Sequence, residues 1–183
     1  MFATAGNLSV FDRKKKAIWI TASGKDKSSL TKKDFISIHS ESEKFNSKTE
    51  KPSAETPIHK VIYEKFQNAN AILHVHTPVC CTINFGVSRK NPVITYRLPN
   101  IEIIKAFGNF NENPDLKMTV VYNFGNVGDI SQAFRDTLTD KGSDVPFFLI
   151  QDHGITVWGK DVREANKNLE AAEFILQVMA SRS

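Results

Sequence analysis

His74 and His76 stand two residues apart in Ala71-Ile-Leu-His-Val-His76, and His153 sits in an Asp-His-Gly turn. On a strand, side chains alternate between faces, so both imidazoles project one way while Leu73 and Val75 project the other. Two imidazoles placed like this can both reach one ion at about 2.0–2.1 Å. They can equally hydrogen-bond to each other on a sheet face, and the spacing alone does not separate these readings. His153 adds weight to the metal, because it follows an apolar strand in a tight turn, where function is often displayed on a rigid scaffold. Three neutral imidazoles with an open fourth position are the pattern of catalytic rather than structural zinc. His39, in a polar stretch, and His59, on a helix after Pro57, have no such partner and read as structural or solvent-facing.

The elements that must position these histidines can be read from local pattern. Asn7–Phe11 and Ala17–Thr21 look like strands, and the basic run Arg13-Lys14-Lys15-Lys16 between them reads as a solvated hairpin tip. Ser37–Lys51 is polar and charged without a clear period, which predicts a surface excursion. Thr56 is placed to cap a helix with Pro57 at its first position; Ile58, Val61, Ile62 and Phe66 then repeat at helical spacing. Ala71–His76 is a strand ended by Pro78. Asn100 can cap a short helix, Ile101–Phe107, closed by Gly108. Met118–Tyr122, Pro146–Gln151 and Ile155–Trp158 are further strands. Asp161 caps the last helix, with Glu164 three residues on as in a capping box, and Val162, Ala165, Leu169, Ala172, Leu176 and Met179 form its apolar stripe. Strands and helices mix without strict alternation, so the expected class is α/β: a single-domain sandwich over residues 1–183, its mostly antiparallel sheet flanked by helices.

Composition excludes several classes. At 183 residues, with 40% hydrophobic and 24% charged residues, the chain can bury a full core and is not a disordered tail. No run approaches the ~20 apolar residues of a membrane span. The first residues lack the basic-then-apolar pattern of a secretion signal. Net charge is +4, which favours anionic partners, but no aromatic series is interleaved with the basic residues as nucleic-acid stacking would need. Cys80 and Cys81 are adjacent, a poor arrangement for a disulfide or a zinc knuckle. Both are expected to be buried structural thiols in a reducing cytoplasm.

Five segments, in order, resemble the signatures of the class II aldolase/adducin family. They are Ala3-Thr4-Ala5-Gly6-Asn7-Leu8-Ser9, Ile20-Thr21-Ala22-Ser23-Gly24-Lys25-Asp26-Lys27, Pro52-Ser53-Ala54-Glu55-Thr56, Leu73-His74-Val75-His76-Thr77 and His153-Gly154-Ile155-Thr156-Val157-Trp158-Gly159. Glu164-Ala165 and Glu170 to Glu173 are similar to the family's final helix. Within the family, Lys51-Pro-Ser-Ala-Glu-Thr56 and Asn100-Ile-Glu-Ile-Ile-Lys-Ala-Phe-Gly108 resemble the bacterial methylthioribulose-1-phosphate dehydratases most.

The resemblance implies one Zn2+ per chain on His74, His76 and His153, a small sugar phosphate as substrate, and a homotetramer with no nucleic-acid or membrane partner. It implies substrate contacts from Gly6, Asn7, Thr21, Ser23, Gly24, Ser53 and Ala54. Glycine lets backbone N–H groups approach an anion, and the N–H groups before a helix favour phosphate. Lys25 and Lys27 are candidate helpers. Glu55 matches the acid/base of the family's sugar-phosphate aldolases, and Glu102 matches that of its dehydratases. A glutamate in a first helical turn also simply stabilises the helix dipole, typically by about 0.3–1 kcal/mol; the same dipole favours the carboxylate form that a base needs. The expected arrangement has Glu102 as proton shuttle, with Glu55 behind the metal ligands or in contact with the substrate. The family's helix ahead of the first loop is expected to be missing. The competing functions are a sugar-phosphate aldolase or epimerase and, without catalysis, an adducin-like interaction module.

Overall fold

A computed structural model describes residues 6–42, 44–138 and 143–182. Its strands are β1 (Gly6–Asp12), β2 (Ala17–Thr21), β3 (Phe35–His39), β4 (Ala71–Val75), β5 (Val93–Arg97), β6 (Lys117–Val121), β7 (Phe147–Ile150) and β8 (Gly154–Gly159). They join in one sheet, ordered β3-β2-β1-β4-β8-β7-β6-β5. Among the described strands only β6 and β7 pair in parallel. A parallel pair requires a long crossover, and helix α2 (Val127–Thr137) lies in it. The α/β sandwich with a mostly antiparallel sheet is therefore the fold.

Both sheet faces are covered, which explains the nearly continuous apolar runs of β7 and β8. Phe147, Leu149, Ile155 and Val157 pack with Leu169, Ala172, Ile175 and Leu176 of α3 (Val162–Ala180). The alternate residues Phe148, Ile150 and Trp158 face α2 and α1 (Thr56–Lys65), meeting Ile58, Ile62, Ile130 and Phe134. Among the described residues no helix is long and apolar enough to cross a membrane.

Several local expectations are corrected. Ser37–His39 belongs to β3, whose Ile36 and Ile38 are buried; two isoleucines among polar residues make too weak an alternation to show it. The strand β5 and helix α2 were also not apparent locally. α2 is capped by Asn126, whose side chain accepts from Gly128 N–H at 2.7 Å. Glu55 rather than Thr56 is the N-cap of α1, and Thr56 Oγ1 donates instead to the Ser53 carbonyl. Ile101 rather than Asn100 precedes the 3-10 helix Glu102–Phe107, and Asn100 donates to the Glu112 carbonyl. Asp161 caps α3 by accepting from Glu164 N–H, but Glu164 accepts from Lys160 N–H, one residue before the expected place. Val162 is exposed, because polar bonds rather than apolar cover hold that first turn. Cys80 is buried and Cys81 exposed. Arg13 is not simply solvated: its guanidinium donates to Asn70 Oδ1 and to the Phe66 and Ala69 carbonyls, tying the hairpin tip to the end of α1.

His59 is fully buried, its Nδ1 2.6 Å from Ser9 Oγ, which in turn lies 2.7 Å from the Tyr63 hydroxyl. Burial pushes its pKa down from 6.5 to about 4, against the opposing pull of Glu55. The unfolded chain therefore binds more protons than the folded one between those values. The contribution of His59 is full above pH 6.5 and is lost as pH falls toward 4, by about 3 kcal/mol. Urea unfolding from pH 7 to pH 4 should show a steeper loss of stability for the natural chain than for His59→Gln. Equal slopes would refute it.

Candidate metal and active site

Three adjacent strands build the site. Their register places Asn7 of β1 beside His74 of β4, and His74 beside Thr156 of β8. His76 follows the end of β4, and His153 comes from the turn joining β7 to β8. In that turn Asp152 has φ 54°, a left-handed conformation uncommon for a residue other than glycine. Gln151 braces it, donating to Asp152 Oδ1 and the Ile83 carbonyl while accepting from Phe85 N–H. Position 154 has room only for glycine: a Cβ there would lie 2.5 Å from the Val75 carbonyl oxygen and 2.9 Å from His76 Cδ2. The three imidazoles close edge-on, with centroids 4.5 to 5.1 Å apart.

Glu55, just ahead of α1, brings a carboxylate to this cluster. Its Oε1 lies 2.9 Å from His153 Nε2, 3.3 Å from His74 Nε2 and 4.0 Å from His76 Nε2, and its Oε2 accepts from Asn7 Nδ2. Ligand atoms of Glu55, His74, His76 and His153 all fall within 4.8 Å of one another. Tetrahedral bonds of about 2.0–2.1 Å put ligand atoms roughly 3.3 Å apart, so the donor set fits a divalent transition metal. The outer ring atoms are held as a ligand sphere requires. His153 Nδ1 lies 3.1 Å from Asn123 Oδ1; an amide oxygen only accepts, so Nδ1 carries a proton there while Nε2 is turned inward, toward Glu55. His74 Nδ1 meets Thr156 Oγ1 at 2.8 Å.

Electrostatics agree with ligation. Burial, outweighing the Glu55 carboxylate, pushes His74 down to about 3 and keeps it neutral. Burial and the neighbouring His153 also lower His76. For Glu55 burial works against ionisation, but the His153 hydrogen bond and the three nearby imidazoles prevail and set it at about 2. The centre thus sets an ionised carboxylate beside the neutral ring of His74.

The remaining sequence-derived candidates divide into two groups. Thr21, Ser23, Gly24, Ser53 and Ala54 lie on two loops joined edge to edge: Ser53 N–H donates to the Thr21 carbonyl, Ser23 N–H to the Lys51 carbonyl, and Ala22 bridges Pro52. Thr21 is buried and its Oγ1 accepts from Leu8 N–H, whereas Ser23, Gly24 and Ala54 are exposed. Gly6 begins β1 with φ 136°, and a Cβ there would lie 2.2 Å from the His74 carbonyl oxygen. Asn7 is buried with Oδ1 unpartnered among the described residues. Ala3, Thr4 and Ala5 lie outside the described residues.

Glu102 is not brought to the histidines. It stands at the start of its 3-10 helix with a strongly exposed side chain (83%), paired with Lys105 at 2.8 Å. Conversely, Asn123 and Thr156 hold two of the imidazoles and had no assigned role in the sequence reading. Thr156 lies in the quoted His153–Gly159 signature, whereas nothing local to Asn123 marks it.

A family profile, class II aldolase and adducin N-terminal domain, matches residues 1–180. The chain is 43% identical over 188 residues to the methylthioribulose-1-phosphate dehydratase of Leptospira interrogans serovar Lai, covering 99% of this chain and 76% of that one. It is 44% identical over 186 residues to the enzyme of that name from Leptospira biflexa serovar Patoc, covering 100% and 89%. Among solved structures, an L-fuculose 1-phosphate aldolase superposes with a TM-score of 0.73 at 22% identity, covering 97% of this chain and 76% of that one; at that identity the likeness speaks for the fold alone. The sheet order, the histidine cluster at its centre and a profile match running through both place the chain in the class II aldolase and adducin family.

Proposed function

We propose that this chain is a hydro-lyase that dehydrates 5-methylthioribulose 1-phosphate to the 2,3-diketo-5-methylthiopentyl 1-phosphate. The observation that carries the reading is identity of 43–44% to dehydratases of that name along practically the whole chain. The reading includes one zinc per chain, a homotetrameric assembly and a cytoplasmic place in methionine salvage.

The substrate has a ketone at C2 and hydroxyls at C3 and C4, so its C3 proton is the acidic one. The metal we assign to His74, His76 and His153 is zinc, which when bound supplies a Lewis acid for the carbonyl. Glu55 is the carboxylate at the cluster, and we assign it the C3 proton; the same group then returns a proton as the C4 hydroxyl leaves as water. The resulting enol relaxes to the diketone, and the carbon skeleton stays whole. Asn7 holds the far oxygen of Glu55 and so sets which oxygen faces the substrate. The joined loops around Gly24 and Ser53, together with Gly6, hold the phosphate, and that fixes the carbon presented to the base. A proton-transfer role for Glu102, exposed and paired with Lys105 in the single chain, would require its carboxylate to reach the cluster of the same chain or of a neighbour in the tetramer.

Product analysis tests the reading. With methylthioribulose 1-phosphate, mass spectrometry should show a product lighter by one water, and a coupled assay should detect no dihydroxyacetone phosphate. Dihydroxyacetone phosphate released from fuculose or rhamnulose 1-phosphate, with methylthioribulose 1-phosphate untouched, would move the chain to the aldolase branch. Turnover of none of these would favour the interaction module.

A further inference from the structure

We propose that Lys27 is the cation that binds the substrate's phosphate, and that Lys25, two residues earlier, is excluded from that role by its own ion pairs. The inference deepens the functional reading above and rests on its phosphorylated substrate.

The two loops around Gly24 and Ser53 supply neutral donors, but a phosphate carries close to two negative charges and is best held with a cation present. Two lysines flank the first loop. Lys25 Nζ lies 2.5 Å from Glu50 Oε1 and 3.6 Å from Asp34 Oδ1, so its charge is already matched by two carboxylates. Lys27 Nζ donates instead to the carbonyl of Ala22 at 3.3 Å, and among the described residues no carboxylate is within ion-pairing distance of it. Ala22 bridges Pro52, so this ammonium sits at the seam between the loops.

The acidic groups nearby are engaged elsewhere. Asp26 accepts from Ser28 N–H, Ser28 Oγ and Ser29 Oγ, and Asp34 accepts from Thr31 N–H and Thr31 Oγ1. An ammonium has three protons; with one on Ala22, two remain for an anion. Partial burial disfavours the charged form of Lys27, so an incoming phosphate relieves a cost that a solvated lysine would not carry. At Gly24 nothing lies within 4 Å of the missing Cβ, which leaves the seam open to a ligand.

Lys27→Met and Lys27→Arg test this, each measured with methylthioribulose 1-phosphate and with inorganic phosphate as competitor. Lys27→Met should raise KM and the phosphate inhibition constant together by about tenfold to a hundredfold, with kcat little changed, as for loss of a charged hydrogen bond in ground and transition state alike. Lys27→Arg should restore most of both. Unchanged constants in Lys27→Met would overturn the assignment, and so would a fall in kcat and melting temperature without a change in phosphate inhibition. Phosphate binding followed by calorimetry separates this from the functional reading. If the natural chain binds phosphate and Lys27→Met binds it more weakly, Lys27 keeps its role even where methylthioribulose 1-phosphate is not turned over.

Discussion

Glu55→Gln should lower kcat by about a hundredfold to ten-thousandfold, the range that a positioned acid/base supplies. The substitution is nearly isosteric, so α1 and the sheet should keep their packing. Glutamine can still turn its carbonyl toward Asn7 Nδ2, which now donates to Glu55 Oε2. What it cannot do is accept a proton from carbon and return it to a leaving hydroxyl. Metal content must be measured on the same sample, because Glu55 Oε1 lies 2.9 and 3.3 Å from two of the imidazole nitrogens and can serve as a ligand as well as a base. The assignment holds if kcat collapses while metal stays near its natural level. Glu102→Gln, prepared alongside, should have much the smaller effect, since that side chain is exposed and paired with Lys105. The reverse order, a dead Glu102→Gln and an active Glu55→Gln, would transfer proton transfer to Glu102.

His74→Ala should reduce bound metal from near one ion per chain to almost none and abolish turnover with it. His74 is the most buried of the three imidazoles, and its loss leaves Thr156 Oγ1 without its ring partner and Glu55 with one neighbour fewer. His76, His153 and Glu55 remain, but among the described residues no other side chain is placed to replace the lost nitrogen. Thr156→Val is the graded comparison: it removes only the partner of Nδ1 and should weaken metal affinity by about tenfold to a hundredfold. Metal analysis after gentle purification, with activity measured before and after readdition of zinc, gives both readings. A natural chain without any transition metal, or a His74→Ala chain that keeps its metal, would remove the basis of the site.

Much of this site was legible before any fold was known, and the reason is that its signals are local. The spacing of His74 and His76 has meaning because a strand repeats every two residues, and the structure sets both at one end of β4. The turn at Asp152-His153-Gly154 and the Asp161 cap of α3 are short-range features, and both are present. Nothing in local pattern could pair β4 with β8, and that pairing is what brings His153 and Thr156 to His74. Nor could it weigh Glu55 against Glu102. Each was a plausible carboxylate beside a helix start, and a dipole argument ranks charge states but not distances. What places Glu55 at the cluster is tertiary: β1 lies beside β4, and Asn7 reaches Glu55 from one side as the histidines do from the other. Asn123 was hidden for the same reason: it lies 30 positions from His153 and orients its ring. Periodicity records which side of an element is buried, whereas a catalytic centre depends on which elements are neighbours, and neighbours are chosen by packing over the whole chain.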